Sequence, residues 1–330
     1  MRYRFNRTKR ILRKISRLGP RGFWFAHFIY WHWLRNYQAK SYALNAGKPF
    51  VAVTTSIGCK NQCEFCPQDT FIRVYKKRLS NGCLISYPKS EDLLINLGTF
   101  EKFLGRIPKF YTINFAGFSE PWLAPDCTDM VLAAHANGYR IRAFTTLVGM
   151  GSADVIKLSG IPFELFSIHV ADEEPTSNIS VDESMVDTLQ AVEKFGFPQL
   201  EFHNHIGRPH PAFVKVFGNL EIHTAGVVDR AGNLFLEGKM PEPKRISGRI
   251  RCGFNPLSTE LNNNILLPNG DVVLCCEDYS LKHVLGNLKN CDLLSLYELE
   301  PYKTIKKGLD DDSIDLICRY CHRAVKIEDD

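Results

Sequence analysis

The first 48 residues lack acidic side chains. Glu64 is the first acid in the chain, whereas residues 1–48 hold twelve Lys or Arg. The rest of the 330-residue chain carries 29 basic and 36 acidic residues, a net charge of −7, although the whole chain is at +5. The positive charge therefore belongs to the N-terminal segment and not to the body of the chain.

Long apolar runs are also lacking. The most apolar stretch, residues 23–34, has 12 residues and includes two His, whereas a helix that crosses a bilayer needs about 20. The basic stretch 2–21 is too long for a secretory signal, and no small-residue cleavage site follows. The eleven cysteines are therefore expected in a reducing cytosol, where clustered spacings indicate metal or cluster ligation and not disulfides.

The chain has no internal repeat, and its middle part alternates between two patterns. Short β-branched or aromatic runs predict strands at 50–56, 110–116, 140–146, 164–170, 199–205 and 220–225. Capping signals predict helices at 90–104, 125–137 and 182–195. Six β-then-α units predict an α/β fold, a partial (β/α)6 TIM-like barrel with its active site at the carboxyl ends of the strands. We expect three parts: a basic aromatic segment 1–48, the barrel 49–237 and a small α+β cluster-binding extension 238–330.

Three cysteines follow the first predicted strand. Cys59, Cys63 and Cys66 have the spacing C-x3-C-x2-C. Three thiolates on one loop bind three corners of a cubane cluster and leave the fourth iron for a substrate amine and carboxylate. Zinc prefers four protein ligands in a structural site. A zinc site or three unrelated thiols stay open as alternatives.

The cysteine spacing and the stretch GFSEP at 117–121 resemble the radical-SAM superfamily. The resemblance implies a [4Fe–4S] cluster on the three cysteines, with S-adenosylmethionine on its open iron. The stretch GFSEP resembles the family's Gly-Gly-Glu-Pro stretch, which holds the amino group of the cosubstrate. Ser119 stands where Gly is usual, and a positive φ at this position would strain a serine. The residues implied in cosubstrate binding are Phe65, Gly117, Ser119, Glu120, Pro121, Thr146, Ser167 and Arg230. Thr145 and His169 lie at further strand ends. For these two, and for Thr146, Ser167 and Arg230, an ordinary polar group at a strand end is the alternative interpretation.

The C-terminal part contains a second cysteine set. Asn269-Gly270 between apolar runs predicts a hairpin. With Cys252, Cys275, Cys318 and Cys321, this resembles the SPASM/twitch extensions of radical-SAM enzymes and implies one auxiliary [4Fe–4S] cluster. Zinc on the same thiolates, haem attachment through C-x-x-C-H at 318–322, and Cys276 in place of Cys275 remain alternatives.

The remaining cysteines divide into one candidate and three ordinary thiols. Cys276, beside the auxiliary cluster, is a candidate hydrogen-atom donor to a substrate radical, as in some radical-SAM epimerases. Cys83, Cys127 and Cys291 are expected to be buried or loop thiols.

The N-terminal segment combines nine basic residues in 1–22 with an aromatic run in 23–33. This composition suits contact with a membrane interface, and equally a helix packed on the barrel. RNA binding is a third option, but no RNA-binding motif supports it. We therefore expect a cytoplasmic protein, with peripheral contact to the inner membrane face as an open possibility.

The resemblance implies an oxidoreductase that cleaves S-adenosylmethionine to a 5′-deoxyadenosyl radical. The expected substrate is a carbohydrate or glycan, an aminocyclitol or another small polar molecule, lipid-linked or free. Hydrogen abstraction would lead to oxidation or epimerisation, with flavodoxin or ferredoxin as reductant. His203, His205 and His223 lie near strand ends and are candidates to face the substrate. A peptide-modifying maturase and a non-catalytic iron–sulfur or zinc-binding protein are the alternatives.

Overall fold

The computed structural model describes residues 49–80, 89–174, 176–218, 220–224, 226–234, 236, 242–254 and 261–327. The predicted N-terminal segment 1–48 and Cys83 lie outside the described residues. The described strands and helices belong to one compact unit, residues 49–253 and 260–330.

Six parallel strands form the central sheet, in the order in which they occur along the chain. These strands are β1 (Phe50–Val53), β2 (Thr112–Phe115), β3 (Arg140–Thr145), β4 (Leu165–His169), β5 (Leu200–Asn204) and β6 (Ile222–Thr224). Each lies within the run predicted for it. β1 and β2 are buried at every position, which agrees with parallel strands covered on both faces. The α/β fold with a partial barrel is therefore confirmed.

The described residues also form nine α-helices. They are α1 (Gln68–Leu79), α2 (Ser90–Leu93), α3 (Leu97–Leu104), α4 (Cys127–Ala136), α5 (Ser152–Leu158), α6 (Glu183–Phe195), α7 (Pro211–Phe217), α8 (Leu293–Leu296) and α9 (Glu300–Asp310). Short 3-10 turns occur at Pro121–Leu123 and Ile317–Tyr320. Helices α1 to α7 connect the successive strands of the barrel.

The helix ends follow from local chemistry. The Asp182 side chain accepts a hydrogen bond from Met185 N at 2.9 Å and begins α6. Gly196, with φ 68°, ends the same helix. Gly138, with φ 80°, follows α4. Both predicted helix ends are confirmed.

The single helix predicted over 90–104 is wrong, because the chain is extended at Leu94. Ile95 N donates to Thr55 O at 3.0 Å, and Ile57 N donates to Leu93 O at 2.8 Å. These bonds to the segment after β1 compete with helical bonds, so α2 ends and α3 begins anew with Asn96 as its N-cap. A pairing partner about 40 residues away in sequence outweighs the local helical pattern.

The C-terminal strands extend the barrel sheet. β8 (Asn263–Leu266) pairs in parallel with β1, and the hairpin partner β9 (Asp271–Val273) and then β10 (Val284–Asn287) follow it. The turn residue Gly270 has φ 90°, which confirms the predicted hairpin. β7 (Ile250–Cys252) and β11 (Ala324–Lys326) form a separate antiparallel ladder. The nine-stranded sheet therefore crosses the boundary expected near residue 238.

Candidate active site

A cavity of about 220 Å³ lies at the carboxyl ends of the barrel strands. Its wall includes most residues singled out from the sequence: Cys59, Cys63, Phe65, Cys66, Gly117, Ser119, Glu120, Thr145, Thr146, His169, His203, His205 and Arg230. Parallel strands end at the same edge of a sheet, so residues far apart in sequence meet there. Five further wall residues were missed: Asn61, Gln68, Phe118, Phe144 and Tyr279.

The cysteine loop connects β1 to α1. All three of its cysteines are half-buried free thiols. Burial, and then the negative charges of Cys66 and Cys59, raise the pKa of Cys63 to about 12. Three thiolates cannot all ionise so close together without a positive centre between them. The loop therefore provides a donor set that suits a cationic cofactor.

Gly117 begins the turn after β2. Its φ is +96°, and a Cβ built there would lie 2.4 Å from Thr54 Oγ1. Phe118 N donates to the same Thr54 hydroxyl at 3.1 Å, which holds the turn against the end of β1. Glycine is therefore required at 117 on both conformational and steric grounds.

Ser119 does not have the positive φ that would strain it. Its hydroxyl accepts a hydrogen bond from Ser56 N at 3.4 Å. Serine in place of the usual glycine is thus compatible with the turn, and it adds a contact to the segment after β1.

Glu120 is buried and connects the ends of β2 and β3. Its Oε1 accepts from Thr145 Oγ1 at 2.6 Å and from Trp122 N at 3.3 Å. Its Oε2 accepts from Thr146 N at 2.6 Å and Thr146 Oγ1 at 2.8 Å. Burial raises the pKa of Glu120, and the hydrogen bonds from Thr145 and Thr146 oppose this shift. Four donors occupy the carboxylate, so a ligand ammonium group would have to replace one of them.

Two buried acceptors beside Glu120 have no partner within the described part of the chain. Asn61 donates through Nδ2 to Thr146 Oγ1 at 2.9 Å, but its Oδ1 accepts no hydrogen bond. Gln68 donates through Nε2 to Phe118 O, and its Oε1 likewise has no partner. Buried polar atoms of this kind are rare without a ligand or water. They offer acceptors for the N–H groups of a bound molecule.

Histidines and aromatic rings form the opposite wall. The ring of Phe65 lies 4.5 Å from that of His205 and 5.4 Å from that of His169. His169 and His203 are stacked at 5.0 Å. Burial, and then the positive charges of His205 and His223, lower the pKa of His203 to about 4. Burial also lowers the pKa values of His169 and His205. All three imidazoles are therefore neutral at pH 7.

Tyr279, from the C-terminal part of the chain, closes one side of the cavity. Its hydroxyl lies 3.5 Å from Cys66 Sγ, and its ring packs on Phe118 at 4.6 Å. Arg230 lies nearby, with Nη1 3.8 Å from Glu277 Oε1. In the sequence, the only indication that Tyr279 lies at the site is its position three residues after Cys276.

Three predicted residues lie outside the cavity wall. Pro121 is buried, and its carbonyl accepts from Thr55 Oγ1 at 2.8 Å. Ser167 is buried behind the wall, with Oγ 2.9 Å from His203 Nδ1. His223 is exposed on β6. Pro121 and Ser167 thus support the wall residues without lining the cavity.

The second cysteine set is held by the ladder of β7 and β11. Cys252 pairs with Ala324 across this ladder, and Cys321 N donates to Cys318 O at 3.3 Å. Burial, and then the negative charges of Cys252 and Cys321, raise the pKa of Cys318 to about 12. The pKa of Cys275 is raised by burial and then by the charges of Cys276 and Cys318. These four thiols therefore lie within electrostatic reach of one another.

Arg319 anchors the C-x-x-C turn. It is fully buried, and its guanidinium donates to Ile246 O at 3.1 Å, Gly248 O at 2.8 Å and Gly308 O at 2.6 Å. A buried cation that satisfies three carbonyls fixes the backbone between Cys318 and Cys321.

Cys276 follows Cys275 and contacts Glu277. Its Sγ is 4.0 Å from Glu277 Oε1, the same oxygen that pairs with Arg230. Burial, and then the charge of Glu277, raise the pKa of Cys276 to about 12, so it is a thiol at neutral pH. Glu277 thus contacts both Cys276 and Arg230, and Arg230 lines the cavity.

The other cysteines described are ordinary thiols. Cys127 is fully buried at the start of α4, and Cys291 is half-buried in a loop. No helix among the described residues is long and apolar enough to cross a membrane.

Comparison with known proteins supports both parts of the fold. Residues 258–322 match the SPASM family, an iron–sulfur cluster-binding domain; the match includes Cys275, Cys318 and Cys321 but not Cys252. No curated protein sequence matches the chain.

Several solved structures have the same fold. BtrN in complex with AdoMet and 2-DOIA has a TM-score of 0.50 and 13% identity, over 85% of this chain and 94% of that one. Streptococcus suis SuiB bound to precursor peptide SuiA has a TM-score of 0.53 and 10% identity, over 86% and 73%. Histidine-tagged anSMEcpe with bound AdoMet has a TM-score of 0.50 and 14% identity, over 83% and 84%. The chain therefore has the partial-barrel fold of the radical-SAM enzymes, joined to a SPASM iron–sulfur cluster-binding domain.

Proposed function

We propose that the protein is a radical-SAM enzyme that abstracts hydrogen from a small polar substrate. One observation carries this proposal: the three loop thiols, the Gly117–Glu120 turn and the polar ends of the strands line one cavity. An iron–sulfur protein that only transfers electrons needs no such cavity beside its cysteines.

The donor chemistry of the loop fits a [4Fe–4S] cluster. A structural zinc site uses four protein ligands, whereas the cavity loop offers three thiols. Cys59, Cys63 and Cys66 would hold a cluster that, when reduced, supplies the electron for cleavage of the sulfonium of S-adenosylmethionine.

The chain's own residues position the cosubstrate. Gly117 lets the turn that lines the cavity pack closely on Thr54. The unpartnered oxygens of Asn61 and Gln68 are available to accept hydrogen bonds from the ammonium group of the cosubstrate. Glu120 orients Thr146, whose hydroxyl receives a hydrogen bond from Asn61. In this proposal Glu120 acts mainly by positioning, because its acceptor sites are occupied. Phe65 packs against the adenine, and Arg230 pairs with a carboxylate.

The polar wall supports a small polar substrate such as a carbohydrate or an aminocyclitol. His169, His203, His205 and Arg230 offer several hydrogen-bonding groups within one cavity. BtrN, which has the same fold, was solved with 2-DOIA. A peptide-modifying reaction is the second candidate, because SuiB was solved with a precursor peptide. The reductant would be flavodoxin or ferredoxin.

The second cysteine set would hold one auxiliary [4Fe–4S] cluster, with Cys275 and not Cys276 as ligand. The surroundings support this choice, because the charge of Cys318 helps to raise the pKa of Cys275, whereas the Cys276 sulfur lies 4.0 Å from Glu277 Oε1. If Cys276 gives a hydrogen atom to the substrate radical, the outcome is epimerisation, and its sulfur then regains an electron and a proton through the reductant. If the substrate radical instead loses a proton to solvent and an electron, which the auxiliary cluster would accept, the outcome is oxidation.

Anaerobic turnover tests the proposal. Full-length protein with both clusters reconstituted, given dithionite and S-adenosylmethionine, should form 5′-deoxyadenosine. The Cys63→Ala variant should form none, whereas Cys291→Ala, which changes a half-buried cysteine outside the cavity, should match the wild type. Zinc in place of iron, or cleavage that survives Cys63→Ala, would refute the assignment.

A further inference from the structure

The register of β4 and β5 brings three histidines to one point of the cavity. His169 ends β4 and lies beside His203 of β5, and His205 follows two residues later. One ring nitrogen from each of the three lies within 4.8 Å of the other two. Among the described residues, these three form the one group of His, Cys, Asp or Glu side chains that is this compact.

Hydrogen bonds orient two of the three rings, His205 and His203, as is usual for histidine metal ligands. His205 Nδ1 lies 2.8 Å from Gly226 O. A carbonyl oxygen only accepts, so Nδ1 carries the hydrogen and Nε2 keeps its lone pair. His203 Nδ1 lies 2.9 Å from the Ser167 hydroxyl, which can accept in the same way. Histidine ligands typically donate their second ring N–H to a carbonyl or similar group, which fixes the ring and the tautomer.

The surroundings also suit a bound cation. Phe65 packs on His205 and His169 and restricts their rotation. The positive charge of Arg230 acts on His169 and His205, and Glu277 compensates it through the ion pair at 3.8 Å. Burial keeps the imidazoles neutral at pH 7, which is the form that binds a metal.

We propose that His169, His203 and His205 form a binding site for one divalent first-row transition ion, represented by Zn²⁺. Three imidazoles leave a fourth coordination position, which here opens into the cavity and can take an oxygen or amine of a polar substrate. Zinc–nitrogen bonds of about 2.0–2.1 Å place the nitrogens about 3.4 Å apart, so the rings need only a small inward shift. Metal binding is independent of the proposed function, whereas the role toward the substrate rests on it.

Zinc uptake by the holoprotein tests the site. Full-length protein with its iron–sulfur clusters reconstituted anaerobically is given Zn²⁺, desalted and analysed for zinc, iron and sulfide. The wild type should retain about one zinc per chain beyond its iron, and His203→Ala/His205→Ala should bind zinc at least about tenfold more weakly with unchanged iron. The control His223→Ala removes an exposed histidine from the adjacent strand and should keep the zinc.

X-ray absorption at the zinc edge of the wild type gives a second readout that does not depend on a variant. Nitrogen and oxygen neighbours near 2.0 Å are expected, whereas sulfur near 2.3 Å would place the zinc on cysteines. Absence of zinc uptake, sulfur ligands, or equal uptake by the double variant would overturn the proposal. None of these results affects 5′-deoxyadenosine formation by wild-type protein without zinc, which tests the proposed function separately.

Discussion

The two cysteine sets occupy different kinds of structure. Cys59, Cys63 and Cys66 lie on a loop beside the cavity, and backbone bonds such as Glu64 N to Thr176 O at 3.0 Å tie this loop to the far side of the barrel. Cys252, Cys318 and Cys321 lie on a two-stranded ladder and a turn anchored by buried Arg319. The first set has three thiols, which would leave one iron of a cluster without a protein ligand, whereas the second has four thiols, one for each iron. In the proposed function, the first set therefore meets the cosubstrate and the second serves as an accessory.

Loss of Arg319, which anchors the C-x-x-C turn of the second cysteine set, should have the largest effect on the free energy of unfolding. Arg319→Met leaves three buried carbonyls without their donor, at a cost of about 3–5 kcal/mol in the free energy of unfolding. Iron should fall from about eight to about four per chain because the ladder set loses its geometry. Thermal unfolding and iron analysis measure both effects.

Arg249→Met is the matched control for the anchor, because Arg249 makes an ion pair with Asp310 at the surface. It should leave the iron content unchanged. If the Arg319→Met variant keeps the iron content of the wild type, the ladder does not depend on Arg319.

In the cavity beside the first cysteine set, Gly117→Ala should disturb binding of S-adenosylmethionine. The new Cβ would lie 2.4 Å from Thr54 Oγ1, at a φ of +96°, so the turn must move. A displacement of this size near reacting groups lowers rates by about 100-fold. The rate of 5′-deoxyadenosine formation is measured for the Gly117→Ala variant and for the wild type.

Gly138→Ala controls for the glycine conformation alone. Gly138 also has a positive φ, +80°, but no atom lies within 4 Å of its built Cβ. It should lose about 1 kcal/mol of stability and no activity. Equal activity of the two variants would argue against close contact at Gly117.

Acid should have a smaller effect, which acts on the cavity through its neutral histidines. The folded pKa of His203 is lowered to about 4 by burial and by the charges of His205 and His223, against about 6.5 in the unfolded chain. As pH falls below 6.5, the unfolded chain takes up a proton that the folded protein refuses, so stability is lost down to about pH 4.

Urea unfolding at pH 7.5 and 5.5 in zinc-free protein checks this sign. The wild type should lose about 1 kcal/mol more than His203→Gln over this interval. His135→Gln, outside the cavity, should lose as much as the wild type. A His203→Gln variant with the same loss as the wild type would contradict the assigned pKa shift.

The sequence predicts the elements better than their long-range pairings. The six strands and the hairpin at Gly270 follow from local patterns, and the cysteine loop with the Gly117–Glu120 turn follows from motifs. The break at Leu94 does not, because it depends on bonds to Thr55 and Ile57. The pairing of β8 with β1 likewise depends on tertiary contacts.

The same limit applies to the site. His169, His203 and His205 are each recognisable near a strand end, but their mutual proximity requires the register of β4 against β5, which the local sequence of either strand does not give. Tyr279 reaches Cys66 across 213 positions of sequence. Side chains brought in by a distant part of the chain leave no local signal.

The most direct test of the division between the two cysteine sets is 5′-deoxyadenosine formation in two matched variants under anaerobic reduction. We predict that Cys59→Ala/Cys63→Ala/Cys66→Ala forms none, whereas Cys275→Ala/Cys318→Ala still cleaves S-adenosylmethionine while it loses about half its iron. Cleavage that survives the first change or disappears with the second would contradict the account.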